Sequence, residues 1–250
     1  MDYTLRHPEI HPINDHIWLM DDNHEATFYV VAGEKQAMVI DTSIGLCNVS
    51  EEARKVTPLP LICVNTHGHG DHMGGNWSFD RAYMHPADLP LAQEALEWPE
   101  VQEAIRQMGL RFPPFEPIAD GQIFDLGGIA LQALCLPGHT PGEIVLLDAK
   151  DRILFSGDGI IEHLWLQLPE SLPVQTQIDS MRRLLPLRGQ FDFILNGHSS
   201  GLVDASLFDT LLAAAEDLAA GKTENDIDYS WHERVSRAHP YAENRRIVYK

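Results

Sequence analysis

The stretch Thr66-His67-Gly68-His69-Gly70-Asp71-His72 decides the fold, because it places three imidazoles and one carboxylate directly after the apolar run 61–64. His67 and His69 alternate, so an extended backbone would point both side chains the same way. If the chain turns into a helix near Gly70, Asp71 and His72 face another direction. The pattern therefore predicts that one divalent ion takes the first pair and a second ion takes the other. Imidazole nitrogen and carboxylate oxygen suit zinc, and also iron or manganese.

Five short apolar runs each deliver a polar residue at their carboxyl end, usually close to a glycine. Each run is short enough to be a buried strand, and amphipathic stretches at 174–185 and 207–218 predict helices. Strands that alternate with helices favour an α/β architecture, in which functional loops gather at the carboxyl ends of strands. We therefore expect the five ends to converge on one cleft. The runs are 37–40, 61–64, 131–136, 153–155 and 193–195, and they lead to Asp41, His67, His139, Asp158 and His198.

The histidine-rich stretch resembles the signature of the metallo-β-lactamase fold superfamily. The neighbourhoods of Asp41, His139, Asp158 and His198 match its remaining motifs in order, over roughly residues 15–200. The resemblance implies an α/β fold, a four-layer αββα sandwich of two mixed β-sheets flanked by helices. It also implies a single domain over residues 1–250, with a helical insertion at about 86–117.

The same resemblance implies a ligand set for two divalent ions. The first ion would be held by His67, His69 and His139, and the second by Asp71, His72 and His198. Asp158 would bridge the two ions, and Asp41 would orient a ligand or its loop. Zn²⁺ is the expected metal, with iron or manganese as alternatives.

The implied activity is hydrolysis, in which a hydroxide shared by the two ions attacks the substrate and Asp71 and Asp158 act as catalytic residues. The commonest zinc β-lactamases carry Cys in place of Asp158, and flavin-linked diiron reductases carry Glu in place of His69. The ligand set with Asp158 therefore resembles that of glyoxalase II and its hydrolytic relatives, including lactonases, which predicts a small ester, thioester or lactone as substrate. The 52 residues after His198 (250 − 198) are too few for the helical glutathione-binding domain of glyoxalase II, so a glutathione thioester is not expected. A phosphodiesterase and a mononuclear iron persulfide dioxygenase are the competing functions, and metal stoichiometry separates the second of these from the rest.

Candidate substrate contacts come from three parts of the chain. Residues 17–20 and 27–31 flank a turn at 21–24, which predicts a hairpin. This hairpin carries His24 and Tyr29, and the segment after Asp158 carries His163 and Trp165. The insertion is either a lid over the site or a packing appendage, and its aromatic residues Trp98, Phe112 and Phe115 would supply an apolar wall.

Composition limits the partners. A formal net charge of −19, from 18 basic and 37 acidic residues, would repel a phosphate backbone, which predicts a small-molecule substrate and no nucleic-acid partner. The three cysteines form no C-x-x-C pair, and Cys63 and Cys135 lie in apolar runs, which predicts buried free thiols in a reducing compartment. No leader peptide is visible, and no apolar run approaches the length of about 20 residues that spans a membrane. These features predict a cytoplasmic protein without a membrane partner.

Overall fold

The computed structural model describes residues 4–231 and 234–250, and within these ranges seventeen strands and six α-helices follow one another. The first seven strands are β1 (Glu9–Pro12), β2 (Ile17–Asp22), β3 (Ala26–Ala32), β4 (Ala37–Ile40), β5 (Leu61–Val64), β6 (Ala82–Met84) and β7 (Phe115–Pro117). The next seven are β8 (Ile123–Asp125), β9 (Ala130–Cys135), β10 (Ile144–Asp148), β11 (Ile153–Gly157), β12 (His163–Leu166), β13 (Phe193–Asn196) and β14 (Val203–Asp204). The last three are β15 (Ile227–Trp231), β16 (Arg234–Ala242) and β17 (Arg245–Tyr249).

The α-helices lie between these strands. They are α1 (Val49–Ala53), α2 (Gly70–Met73), α3 (Leu89–Leu96), α4 (Pro99–Met108), α5 (Val174–Leu184) and α6 (Ser206–Ala219). Short 3-10 turns cover Gly74–Ser78, Pro86–Asp88 and Leu185–Gln190. Among the described residues, no helix is both long and apolar enough to cross a bilayer.

The strands of the described chain form three sheets. The first runs in the order β1 to β7, antiparallel as far as β4 and parallel from there to β7. The second has the order β14-β13-β11-β10-β9-β8 and is mixed, because β11 and β13 pair in parallel. The third has the order β12-β17-β16-β15.

The first two sheets lie face to face across an apolar core. That core joins side chains of β2 to β5, such as Ile17 and Val64, to side chains of the second sheet, such as Phe155 and Leu195. The outer face of the first sheet packs on α1, and the outer face of the second packs on α5 and α6. The predicted αββα sandwich is therefore confirmed, and its physical basis is that each sheet buries one face against the other and one against helices.

All five apolar runs form strands, namely β4, β5, β9, β11 and β13. The predicted first hairpin is also present, because β2 and β3 pair antiparallel around a turn. In that turn Asn23 and His24 adopt positive φ angles of 56° and 62°. The helix predicted near Gly70 begins there as α2, so His67 and His69 precede it while Asp71 and His72 lie within it.

Three features differ from the sequence-based expectations or go beyond them. The third sheet was not predicted, because β15 is largely exposed and β16 and β17 mix polar with apolar residues. The insertion is only partly helical, since it ends in β7 at the edge of the first sheet. Cys63 is buried, as predicted, and all three thiols are free, but Cys135 at the end of β9 is only half-buried.

Candidate metal centre

Three imidazoles meet at one point above the carboxyl ends of β5 and β9. His67 Nε2 lies 3.0 Å from His69 Nδ1, and His139 Nε2 lies 3.1 Å from the same atom. Ligand atoms of a tetrahedral zinc ion, at bonds of about 2.0–2.1 Å, would be about 3.3 Å apart. The three nitrogens therefore have the spacing of three ligands of one ion.

A second group lies beside the first, on α2 and on the loop after β13. Asp71 Oδ2 is 3.6 Å from His72 Nε2 and 3.7 Å from His198 Nε2. These three ligand atoms lie within 4.8 Å of one another, as do those of the first group.

Asp158 lies between the two groups. Its Oδ2 atom is 3.3 Å from His198 Nε2 and 3.8 Å from His139 Nε2, while its Oδ1 atom is 3.6 Å from His72 Nε2. Asp158 Oδ1 and His72 Nε2 are both buried, and neither has a hydrogen-bond partner in the described chain. Unpartnered buried polar atoms are costly, and a cation between them would satisfy both. The residues present therefore fit a metal centre.

Asp41 ties this centre to the first sheet. It follows β4 at a positive φ of 62°, and its carboxylate accepts from Thr66 N and Thr66 Oγ1, both at 2.7 Å. Asp41 Oδ2 also lies 3.0 Å from His72 Nδ1. A carboxylate can only accept here, so His72 donates from Nδ1 to Asp41, and its Nε2 atom is the one that faces Asp71 and Asp158.

Two further histidines are oriented in the same way by the segment after Asp158. His139 Nδ1 donates to the backbone carbonyl of Trp165 at 2.8 Å, which leaves Nε2 for a ligand bond. His69 Nε2 lies 2.7 Å from Glu170 Oε1, which leaves Nδ1 as the ligand atom. Such partners commonly fix the ring orientation and tautomer of metal-binding histidines.

Two buried carboxylates, which the sequence analysis did not single out, hold the ligand loops together. Asp88 accepts from Gly68 N at 2.9 Å, from Thr140 Oγ1 at 2.7 Å and from Gly142 N at 2.5 Å, and so joins the His67–His69 loop to the His139 loop. Glu143 Oε1 accepts from the backbone N–H groups of Asp158 and Gly159, both at 2.9 Å. No local sequence pattern identifies Asp88 as a functional residue. Glu143 lies only four residues after His139, and this proximity to a candidate ligand could have identified it.

The electrostatics divide the histidines into two kinds. Burial and the neighbouring rings of His72 and His69 hold the pKa of His67 well below its usual value, and burial together with His69 lowers the pKa of His139 to about 4. These rings are neutral at pH 7, as a metal ligand must be. Asp158 raises the pKa of His198, and His198 and His72 outweigh burial to hold the pKa of Asp158 well below its usual value. The carboxylate is therefore ionised.

The four candidate substrate contacts have different surroundings. His24 is exposed and helps to line a small pocket of about 60 Å³ that also touches His198. Tyr29 is only 2 % exposed, stacks edge-on against Phe155 and donates its hydroxyl to a backbone carbonyl. The position of Tyr29 on the hairpin predicted a substrate contact, but its side chain points into the core between the sheets and does not line a pocket wall. His163 and Trp165 are half-buried on β12, and the backbone carbonyl of Trp165 contacts the candidate ligand His139.

The insertion reaches the candidate centre through α3 and Trp98. Ala92 and Ala95 of α3 pack into a small core beneath α2, and Phe115 packs against that core. Phe115 is therefore mainly structural, and Phe112 is half-buried. Trp98 is 47 % exposed, and its ring lies 4.0 Å from the position that a Cβ atom would take on Gly70.

A larger cavity, of about 490 Å³, lies at the opposite end of the first sheet, around the starts of β5 and β6. None of the candidate metal ligands is among its described lining residues. Its size does not make it the reactive site, because the titratable groups converge elsewhere.

Comparisons with known proteins show the family and the fold of this chain. A family model described as the metallo-beta-lactamase superfamily matches residues 22–225. The chain is 30 % identical over 207 residues to the human protein Acyl-coenzyme A thioesterase MBLAC2, covering 71 % of this chain and 74 % of that protein. It is 29 % identical over 184 residues to Atrochrysone carboxyl ACP thioesterase of Claviceps purpurea, covering 72 % of this chain and 52 % of that protein. Among solved structures, the metallo-beta-lactamase from Pontibacter korlensis superposes with a TM-score of 0.64 at 20 % identity, over 84 % of this chain and 99 % of that one.

Proposed function

Because the chain belongs to the metallo-β-lactamase superfamily and is a hydrolase, we propose that it holds two divalent metal ions and hydrolyses acyl thioesters. His67, His69 and His139 would hold the first ion, and Asp71, His72 and His198 would hold the second. Asp158 lies between the two groups and would contribute its carboxylate to both. Zinc is the metal that this nitrogen-rich donor set suits best. The single observation that carries the proposal is the pair of buried, unpartnered atoms Asp158 Oδ1 and His72 Nε2 at the junction of the two groups.

The residues of the chain supply orientation and proton transfer. When bound, the ions lower the pKa of water toward about 7 and polarise the substrate carbonyl. Asp71 is the ligand nearest to solvent, with its side chain 39 % exposed, so its free oxygen can accept a proton and pass it to bulk water. Asp41, Glu170 and the Trp165 carbonyl keep their histidine partners in the tautomer that leaves the inward nitrogen unprotonated.

A protein nucleophile is not needed for this reaction, and the cysteines are poor candidates for one. Burial raises the pKa of Cys63 well above its usual value and that of Cys135 to about 11. Neither thiol is ionised at pH 7, so neither is an effective nucleophile. Free thiols also suit a reducing compartment, and we propose the cytoplasm as the location.

The thioester substrate is favoured by the relatives. Both curated relatives described above carry the word thioesterase in their names, one acting on coenzyme A and one on acyl-carrier-protein thioesters. The described residues after His198 form β14, α6 and three strands of the third sheet, β15 to β17.

The test is a substrate panel on zinc-loaded protein, with metal content measured on the same sample. We expect thiol release from acyl-coenzyme A thioesters, and much slower turnover of a glutathione thioester, a lactone and a bis-aryl phosphodiester. Faster cleavage of the phosphodiester than of any carbonyl compound would replace the proposal with a phosphodiesterase. A single bound iron, with oxygen uptake on a glutathione persulfide, would replace it with the dioxygenase.

A further inference from the structure

A buried amide on α5 touches two of the loops that carry candidate metal ligands. Gln177 is 0 % exposed, and its Nε2 atom donates to the backbone carbonyl of Gly159 at 2.7 Å. Gly159 directly follows Asp158. The Oε1 atom of Gln177 lies against Gly138, which directly precedes His139. One side chain therefore connects the loop of a ligand of the first ion with the loop of the proposed bridge.

The contact between Gln177 and Gly138 is so close that it leaves no room for a side chain at residue 138. A Cβ atom on Gly138 would lie 1.7 Å from Oε1, 2.8 Å from Cδ and 3.2 Å from Cβ of Gln177. The φ angle of Gly138 lies outside the left-handed region, so this φ angle does not require glycine. The requirement for glycine before His139 therefore comes from the space that Gln177 occupies.

The amide of Gln177 is not explained by packing in the core. Its Oε1 atom is buried and has no hydrogen-bond partner in the described part of the chain, which costs free energy. Methionine at this position would have a similar length and volume without an unpartnered oxygen. The Nε2 atom distinguishes the two side chains, because only the amide can donate to the Gly159 carbonyl.

α5 also approaches the His139 loop without the help of Gln177. Ser180 Oγ, three residues further along α5, donates to the Pro137 carbonyl at 2.7 Å. Leu172 N, just before the helix, donates to the Gly138 carbonyl at 2.8 Å. Both bonds hold the His139 loop, but neither reaches the loop of Asp158. The bond from Gln177 to Gly159 is therefore the one that adds the second loop to this attachment.

The relative position of the two loops matters for a centre that shares a carboxylate. Asp158 Oδ2 lies 3.8 Å from His139 Nε2, and both atoms would have to reach the first ion. Metal–ligand bonds of about 2.0–2.2 Å tolerate errors of only about 0.2 Å. A small shift of one loop against the other would therefore lengthen a ligand bond or change the separation of the two ions.

We propose that Gln177 is a positioning residue that fixes the separation of His139 and Asp158, and with it the separation of the two metal ions. Gly138 is a glycine because it has to admit this side chain. The inference rests on the proposed two-metal centre. Gln177 contacts neither substrate nor metal in this assignment, and it acts only through the backbone of Gly138 and Gly159.

The first test removes the donor and keeps the volume. Gln177→Met should bind zinc about ten-fold more weakly in competition with a chelator, which is the lower end of the loss expected for partners that orient ligands. The electron paramagnetic resonance spectrum of the dicobalt protein reports the magnetic coupling between the ions, and it should change because their separation changes. Gln175→Met is the matched control, since Gln175 is exposed on the same helix and bonds to Asp179. It should leave the zinc affinity and the spectrum unchanged.

The second test exchanges sizes across the contact. Gly138→Ala should weaken zinc binding more than Gln177→Met does, because the new Cβ atom would displace Gln177 Oε1. The double variant Gly138→Ala/Gln177→Ala should bind zinc more tightly than Gly138→Ala alone. The truncated side chain keeps only its Cβ atom near residue 138, at 3.2 Å. Thermal unfolding of the metal-free proteins, measured in parallel, separates loss of the fold from loss of metal affinity.

Three outcomes would overturn the proposal. The first is wild-type zinc affinity with an unchanged cobalt spectrum in Gln177→Met, even if the metal-free variant unfolds at a lower temperature, because Gln177 would then serve packing alone. The second is a double variant that binds zinc no better than Gly138→Ala. The third is an equal loss of affinity in Gln175→Met. If the wild-type protein itself bound fewer than two ions, the proposed centre would fail instead, and this result does not depend on any variant.

Discussion

Replacement of Asp41 by Asn should weaken metal binding without disturbing the backbone. Asp41 is 1 % exposed, and its carboxylate serves three donors, namely Thr66 N, Thr66 Oγ1 and His72 Nδ1. Asn tolerates the left-handed conformation that φ = 62° requires, so the turn after β4 is retained. Only one of the two acceptor oxygens remains, however, and the other position becomes an NH₂ donor.

The magnitude follows from which donor loses its acceptor. If the amide oxygen faces Thr66 N, the NH₂ group opposes His72 Nδ1–H; if it faces His72, Thr66 N–H is left without a partner. A buried donor without its acceptor costs about 1–3 kcal/mol. In the first case this penalty falls on the tautomer of His72 that binds metal, which corresponds to about 10–100-fold weaker affinity. In the second case it falls on the stability of the loop instead.

The assay is zinc titration against a competing chelator, combined with thermal unfolding of the metal-free protein. Asp148→Asn is the control, because Asp148 is also fully buried and accepts two backbone N–H groups, but belongs to the far end of β10. The control should retain wild-type affinity for both ions. Wild-type zinc affinity and unchanged unfolding in Asp41→Asn would refute the assignment of Asp41 as the partner that orients His72.

Three further substitutions test the centre from other directions. Elemental analysis should find about two transition-metal ions per chain in the wild-type protein and about one in Asp158→Ala. Two ions per chain and unchanged turnover in Asp158→Ala would exclude Asp158 as the bridge. Gly197→Ala should weaken binding of the second ion although it removes no ligand, because the new Cβ atom would lie 2.3 Å from Asp158 Oδ1. Gly201→Ala in the same loop is the control, because a Cβ atom there has nothing within 4 Å, and this variant should bind both ions normally. Glu170→Ala should weaken zinc binding about ten-fold, because it removes the partner of His69 Nε2. Glu170→Gln keeps an acceptor oxygen and should retain most of the wild-type zinc affinity. Equal losses of affinity in both variants would show that the charge of Glu170, and not the orientation of the His69 ring, matters.

Much of the fold could be predicted because the relevant signals are local. Apolar runs such as 37–40 and 153–155 are strands whose side chains are buried on both faces, so consecutive residues of the sequence are apolar. The turn from strand to helix at Gly70 follows from the spacing of the histidines around it. The third sheet could not be predicted, because this local signal is missing from its strands. Its strand β15 is mostly exposed and mixes polar with aromatic residues, so no hydrophobic period marks it.

The candidate ligand types could likewise be named from the sequence, but their supporting partners could not. Glu170 lies 101 residues from His69, and Asp88 lies 52 residues from Thr140, so no spacing rule connects either pair. The burial of Tyr29 could not be predicted from the sequence either, because its place in the core depends on Phe155 of the facing sheet.

The sequence by itself determined which residues are candidate metal ligands and which segments are buried strands, since both depend on residue type and on near-neighbour spacing. Only the tertiary structure decided how the strand ends converge, which nitrogen of each histidine faces inward, and which carboxylates hold the loops. It also decided that Trp165 and Trp231 meet although they lie on opposite edges of one sheet. These features depend on contacts between segments far apart in the chain, and sheet pairing, curvature and packing create such contacts only when the whole domain folds.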